Sequence, residues 1–449
     1  MPDSFSLWRR DLGALLRLTG PVAAARLGVM TMGLTDALVV GRYSAVQLGY
    51  QALGWTLPAV AMVAAMGFLS GVQVMTSRYL GQGRPELTGG VFKRGLAYAV
   101  GMGLVGGAAL FLSGPLILHA FRLAPGLADG ATPPLRVFAA SLPAILAATC
   151  AALFLEASGK AGISMAMMWA ANLVNLALDL VLVPGTFGLP ALGAVGAAWA
   201  TFGARAFLAV VLLTYIVRMK PARALGLFER ISDGRAAAAE QRRVGYGAGV
   251  SQLVEAAAFS GMNLVVGAIG ALTVAGWAVV LNLTAMVFMT PLGMATACAV
   301  LVGQAYGARD EAGVRRAAIV GFCAAAAYGL IAAAIVFPLR GVIADAYSAD
   351  PALLAEAAAG VGLAALFFCP DAVQVVAAQA LRARGDVLVP SLTHIASYAL
   401  VMLPLGWLLA VRLHQGLNGA IAAVIIASLM SAGLLLGRFW LLGRREKGS

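Results

Sequence analysis

Apolar runs of about 20 residues or more, each long enough to cross hydrocarbon as one helix, recur from end to end of this chain. They fall at 14–40, 50–77, 95–118, 135–157, 163–184, 192–217, 245–269, 274–301, 317–338, 352–381, 391–411 and 419–441. A backbone in lipid must satisfy its own polar groups, which admits helices and closed barrels. The ten-residue alternation of a barrel strand is absent. Only 11% of residues are charged, against about 25% in an average soluble domain, too few to coat a water-soluble globule. The fold class is therefore an all-α integral membrane protein with twelve transmembrane helices.

A net charge of +12 would suit a nucleic-acid partner, but its distribution excludes one. With the N-terminus inside, the cytoplasmic segments collect Arg9, Arg10, Arg78, Arg84, Lys93, Arg94, Lys160, the run from Arg218 to Arg243, Arg309, Arg315, Arg316, Arg382, Arg384, Arg438, Arg444, Arg445 and Lys447. The external side keeps Arg42, Arg122, Arg136, Arg340 and Arg412. This positive-inside bias places both termini in the cytoplasm. The start, Met1-Pro-Asp-Ser-Phe-Ser-Leu-Trp-Arg-Arg10, lacks a cleavable signal, so the first span is expected to be retained, in a bacterial inner membrane.

Cys150, Cys298, Cys323 and Cys369 lie in spans with no Cys-x-x-Cys pair and read as small apolar side chains. His119, His394 and His414 are too scattered for a metal site. No Walker A motif is present, and Gly101-Met-Gly-Leu-Val-Gly106 fits a dinucleotide fingerprint only as a string. No enzyme is indicated and no cofactor is expected.

The sequence repeats itself in order. Val39-Val-Gly41 matches Val265-Val-Gly267, and Ala151-Ala-Leu-Phe-Leu-Glu-Ala-Ser-Gly159 matches Ala377-Ala-Gln-Ala-Leu-Arg-Ala-Arg-Gly385, both 226 positions on. Gly81-Gln82 pairs with Gly303-Gln304, and Gly193-Ala-Val-Gly196 with Gly416-Leu-Asn-Gly419. Six spans per half return the chain to the same side, so the halves are parallel repeats, a secondary-transporter design. The domains read as an N-terminal lobe at 1–217, a cytoplasmic linker at 218–244 and a C-terminal lobe at 245–449. The linker suits an amphipathic helix lying on the membrane surface. Glycines throughout the spans allow close helix packing, and Pro21, Pro291, Pro370 and Pro404 offer places to bend.

Acidic residues inside spans mark ion pathways by default. Glu156 reads as a helix-end charge paired with Lys160 at i,i+4. Glu255 and Asp371 reach a similar depth in the second half, with no Lys or Arg in their own helices at that depth. Charged, both need a cation; neutral, both carry a proton. Two facing carboxylates sharing one ion or proton would satisfy both, as would two protonated carboxyls bonded to backbone. In the first half, Asp36 joins a stripe of Asn172, Asn175 and Asp179 on one helix face, with Thr201 on the sixth span. That set is oxygen-rich and suits a hard cation or a proton, though an Asn stripe also joins helices. Arg26 and Arg205, within spans too, have no partner assignable from sequence.

Over nearly its full length the chain resembles the multidrug and toxic compound extrusion (MATE) family, NorM-like branch. The resemblance rests on Met32-Gly-Leu-Thr-Asp-Ala-Leu-Val-Val-Gly41, the two Gly-Gln loops, Gln252-Leu-Val-Glu255 and Pro370-Asp-Ala-Val-Gln-Val-Val376. It implies two pseudo-symmetric six-helix lobes around a cleft, and multidrug efflux of cationic amphiphilic small molecules by an antiporter, in exchange for Na+ or H+. It implies that Glu255 and Asp371 bind the coupling ion (Na+ if sodium-coupled), and that Asp36 acts in coupling and drug release. Asn175, Asp179 and Thr201 resemble polar partners of the DinF-like branch. Asp36, Asp371 and Glu255 are also expected to face the drug. One turn before Asp371 the family often has Tyr; here Phe367 lacks the hydroxyl, which weakens a sodium assignment. The expected partners are the drugs and the lipid bilayer, with a monomer as the working unit. A lipid-linked precursor flippase or polysaccharide exporter of the same superfamily is the alternative; it predicts a more basic cavity. A non-transporting scaffold predicts no efflux.

Overall fold

The computed structural model describes residues 4–120, 126–231, 234–347 and 350–445; Arg122, Asp233 and Lys447 lie outside them. The helices are α1 (Ser4–Tyr43), α2 (Ala45–Gly81), α3 (Thr88–Ala120), α4 (Leu127–Ala157), α5 (Ala161–Leu182), α6 (Ala194–Arg218), α7 (Gly234–Gly267), α8 (Ala271–Gly307), α9 (Glu311–Asp345), α10 (Pro351–Ala364), α11 (Phe368–Ala383), α12 (Leu388–Arg412) and α13 (Gly416–Arg445). Among the described residues eleven are each long and apolar enough to cross a membrane, and α10 with α11, bent by 48°, meets the same test as a pair. No strand occurs among the described residues. Helix starts follow side-chain chemistry: Ser44 accepts from the Gln47 N–H, and Asp310 from that of Gly313, capping α2 and α9.

Contacts gather the chain into two compact units, residues 24–249 and residues 1–23 with 250–449. α1 and α7 therefore each belong partly to both, and the units divide at other points than the linear reading. In the unit of residues 24–249, α7 starts at Gly234, well before the expected 245. The polar residues there, which read as loop, find partners on α2 and α3. Arg78 pairs with Glu240 at 3.2 Å, Arg94 donates to Gln241 at 3.1 Å, Gln241 donates to the Val91 carbonyl, and Arg242 donates to the Tyr98 hydroxyl. Glycines bring the backbones together: a Cβ on Gly71 would stand 2.3 Å from the Gln241 carbonyl oxygen, and one on Gly245 2.2 Å from that of Phe68. In the other unit, Asp11 of α1 pairs with Arg316 of α9.

Among its described residues the linker forms no separate surface helix. Residues 220–222 form one 3-10 turn, and the segment docks on the start of α3 with Met219, Ala222, Leu225 and Leu227 buried. The Leu225 carbonyl accepts from the Gly89 N–H at 2.7 Å and the Thr88 hydroxyl at 3.4 Å, satisfying donors that a helix N-terminus leaves open. Gly226 has φ 66°, and a Cβ there would meet the Glu86 carbonyl at 1.9 Å. Burying those apolar side chains outweighs lying flat on lipid.

The repeat is visible in contacts. α8 is α2 shifted by 226 residues at both ends. A Cβ on Gly103 would stand 2.5 Å from Pro143 Cα, and one on Gly329 the same distance from Cys369 Cα, each partner again 226 on. Gly103 and Gly107 thus close α3 onto α4, so the Gly101–Gly106 string is packing. The halves differ in one span. α4 continues through Pro133, Pro134 and Pro143, whereas its counterpart breaks between α10 and α11. Pro370 offers no N–H to the Leu366 carbonyl, and the chain tightens into three-residue turns, Leu366 N–H to Leu363 and Phe367 N–H to Ala364. The core of residues 24–249 centres on Phe92, Leu146, Phe154 and Leu212. The other unit has two cores, one around Leu15, Cys298 and Phe439, one around Trp277, Phe368 and Tyr398.

Candidate functional site

Within residues 24–249, α1, α5 and α6 bring four of the five predicted residues together. Asp36, Asn175, Asp179 and Thr201 are all buried, Asn175 and Asp179 completely. Thr201 Oγ1 donates to Asp36 Oδ2 at 2.6 Å, a short contact of the charge-assisted kind. Asn175 and Asp179 face the same carboxylate, yet among the described residues Asp36 Oδ1, both Asp179 oxygens and both Asn175 amide atoms have no well-aligned hydrogen-bond partner. Arg205, one turn along α6 from Thr201, lies in electrostatic reach of Asp36, while its Nη1 points to the Met168 sulfur at 3.9 Å. Asn172 does other work. Its amide donates to the carbonyls of Gly28 and Met168, each at 3.0 Å, tying α5 to α1 where Gly28 allows close approach.

The second cluster lies within residues 250–449. Asp371 occupies the first turn of α11, just past the break, where the positive helix terminus favours an anion; Gln374 Nε2 donates to its Oδ1 at 3.2 Å. Glu255 on α7 is in electrostatic reach of Asp371, and its side chain keeps 20% exposure. His394 Nδ1 stands 3.8 Å from Glu255 Oε2, and Arg382 also acts on Glu255. Tyr398, completely buried, faces both carboxylates with its hydroxyl 3.3 Å from Ser428 Oγ. An aromatic hydroxyl thus reaches this site from α12 although Phe367 has none.

Arg382, His394 and Tyr398 were not among the expected site residues. Arg382 reads as a helix-end anchor and His394 as a helix-end residue, and nothing in the sequence singles out Tyr398. The segment Ile395–Met402 is π-helical, and such wide turns re-aim side chains, often at functional sites. The Glu156 expectation is corrected. α4 ends at Ala157, so Lys160 leaves the helix axis and lies over the Tyr215 ring at 5.9 Å. Glu156 pairs instead with Arg26 of α1, Nη2 to Oε2 3.4 Å, which also supplies Arg26 with its partner. All four cysteines are free.

A MatE family profile matches twice, over residues 21–181 and 248–408, once in each half. The chain belongs to the MatE family. Among MatE proteins it is 52% identical, over 97% of its length and 93% of the relative's, to "Probable multidrug resistance protein NorM" of Caulobacter vibrioides. It is 32% identical to "Multidrug resistance protein PmpM" of Pseudomonas aeruginosa, over 89% and 84% of the two chains. These likenesses make it a NorM-like MatE protein. In fold it resembles the structure described as "Outward-facing conformation of a multidrug resistance MATE family transporter of the MOP superfamily", with TM-score 0.88, 20% identity and 99% and 98% coverage. "Crystal structure of MATE in the bent conformation" matches with TM-score 0.89, 19% identity and full coverage of both chains. With its apolar helices, this MatE chain is a multi-pass membrane protein.

Proposed function

We propose that this MatE-family chain is a secondary active exporter of cationic amphiphilic drugs in a bacterial inner membrane, exchanging them for entering Na+ or H+. The observation that carries the reading is the Asp36–Asp179 pair, two carboxylates buried together with Asn175 and with five polar atoms that lack a well-aligned partner among the described residues. An unsatisfied buried polar group costs about 1–3 kcal/mol, so a carboxylate pair in this setting favours an occupant. A proton or a hard cation held there offsets that cost. A carboxylate, an amide and a hydroxyl are suitable donors for either.

Glu255 and Asp371 serve as the second coupling site, with Arg382 supplying positive charge and His394 an imidazole beside Glu255. Loading the carboxylates from outside neutralises them and favours the state that releases drug; unloading inside restores the charge that attracts a cationic drug. The ion shifts that equilibrium only through its differential affinity for the two states. One charge moving across 100 mV contributes about 2.3 kcal/mol. The transported ion and the drug are substrates, and a monomer suffices for the cycle. The test is ethidium efflux in proteoliposomes with sodium and proton gradients imposed separately. Efflux following one gradient and abolished by Asp36→Asn supports the reading; efflux indifferent to both gradients overturns it.

A further inference from the structure

We propose that the end of the residue 250–449 unit where α13 finishes holds the phosphate head group of an anionic phospholipid. A cavity of about 870 Å³ opens there between the starts of α1 and α9 and the ends of α11 and α13. Its walls carry Arg315, Arg316, Arg384 and Arg444, with Trp8 and Trp440. Two of the four guanidiniums are matched by carboxylates: Arg384 pairs with Glu311 at 3.3 Å, and Arg316 with Asp11. Among the described residues, Arg315 and Arg444 have no carboxylate at ion-pair distance. Arg315 instead lies over the Trp440 ring, 4.9 Å from its centroid, which holds the cation in place without neutralising it.

The repeat explains what this space is for. Arg444 is the counterpart of Arg218, and Arg315 of Gly89, each 226 positions on. In the unit of residues 24–249 the linker fills the matching place: the Leu225 carbonyl takes the Gly89 N–H, and a Cβ on Gly89 would stand 2.3 Å from the Gly226 carbonyl oxygen. Only a residue with no side chain allows the chain in so close. In the second unit that glycine is replaced by an arginine, so the same slot presents a cation instead of a backbone donor.

The occupant's chemistry follows. Two unneutralised guanidiniums select an anion, and their planar forks match phosphate oxygens. Trp8 and Trp440 are 38% and 41% exposed, as expected of rings at headgroup depth. The volume lies in the range of a ligand pocket, far larger than a bare phosphate requires. Basic pockets between helices on the inner face are suited to anionic head groups.

The test compares the full-length protein in phosphatidylcholine nanodiscs, in phosphatidylcholine with phosphatidylglycerol, and in phosphatidylcholine with inorganic phosphate. Thermal unfolding and lipid retention by native mass spectrometry are the readouts. Phosphatidylglycerol should raise the Tm of the wild type and be retained. R315Q/R444Q should weaken that retention about tenfold or more, abolish most of the Tm rise, and leave the Tm in pure phosphatidylcholine unchanged. R444Q alone, at an exposed position, serves if the double variant fails to fold, with a smaller loss in the same direction. Equal phosphatidylglycerol retention by wild type and variant overturns the proposal. So does a Tm rise from inorganic phosphate equal to that from the lipid.

Discussion

Thr201→Val changes one hydroxyl for a methyl and leaves the side-chain shape alone. Thr201 donates to Asp36 Oδ2 at 2.6 Å, and Asp36 Oδ1 already lacks a partner. The valine variant therefore strips the carboxylate of its one well-formed donor. A hydrogen bond to a charged group contributes about 1.5–3 kcal/mol, roughly tenfold to a hundredfold at about 1.4 kcal/mol per decade. The loss falls on the vacated, ionised state of Asp36, which the proposed exchange must visit once per cycle. Gradient-driven ethidium efflux from proteoliposomes should fall by about that factor in kcat/KM. Thr201→Ser keeps the donor and should stay within about twofold of wild type. In an Asp36→Asn background no charge remains to stabilise, so adding Thr201→Val should change residual flux less than about twofold, a non-additive pair. Full activity of Thr201→Val, or losses that simply multiply in the double variant, would refute the reasoning.

Asp371→Asn and Glu255→Gln should each abolish gradient-driven efflux while expression is retained; normal transport by both would remove the second cluster from the mechanism. Gly71→Ala pushes a methyl to 2.3 Å from the Gln241 carbonyl and should lower stability by about 1–3 kcal/mol, read as Tm in detergent. Gly101→Ala, with nothing near its Cβ, should leave Tm in place. Arg26→Met leaves Glu156, whose side chain is 2% exposed, without its cation and should cost about 3–5 kcal/mol; adding Glu156→Leu should recover most of it.

Asp36, Asn175, Asp179 and Thr201 were legible in the sequence because each contradicts its surroundings. Carboxylates and amides inside apolar runs need a reason, and i,i+4 spacing puts Asn175 and Asp179 on one face. Glu156 pairs with Lys160 only where the helix phase continues that far, but Gly159 turns the chain at φ 74° and the true partner comes from 130 residues away. Arg382 and His394 were hidden by their position near helix ends, where a basic residue ordinarily meets water. Depth within the bundle depends on the break before Asp371 and the π-turns of α12, neither of which leaves a period in the sequence. The linker failed for a different reason: its apolar residues are too few to announce a docking site, and Gly89, which admits it, lies far away in sequence.

The duplication reaches the scaffold but stops short of the chemistry. At the 226-residue offset, Asp371 corresponds to Ile145, Glu255 to Val29, Asp36 to Met262 and Asp179 to Leu405. Glu156, paired with Arg26, corresponds to Arg382, which acts on Glu255. Each carboxylate pair thus sits where the other half is apolar, and one buried position carries opposite charge in the two halves. The first cluster has a hydroxyl, an amide and the Arg205 guanidinium around its acids; the second has the Arg382 guanidinium, an imidazole and a phenol around its own. On the proposed exchange, positive charge near both pairs of acids opposes a second cation and leaves a proton as the less costly occupant, while the neutral groups beside them differ. Loading one of these unlike clusters in that exchange does not repeat the loading of the other.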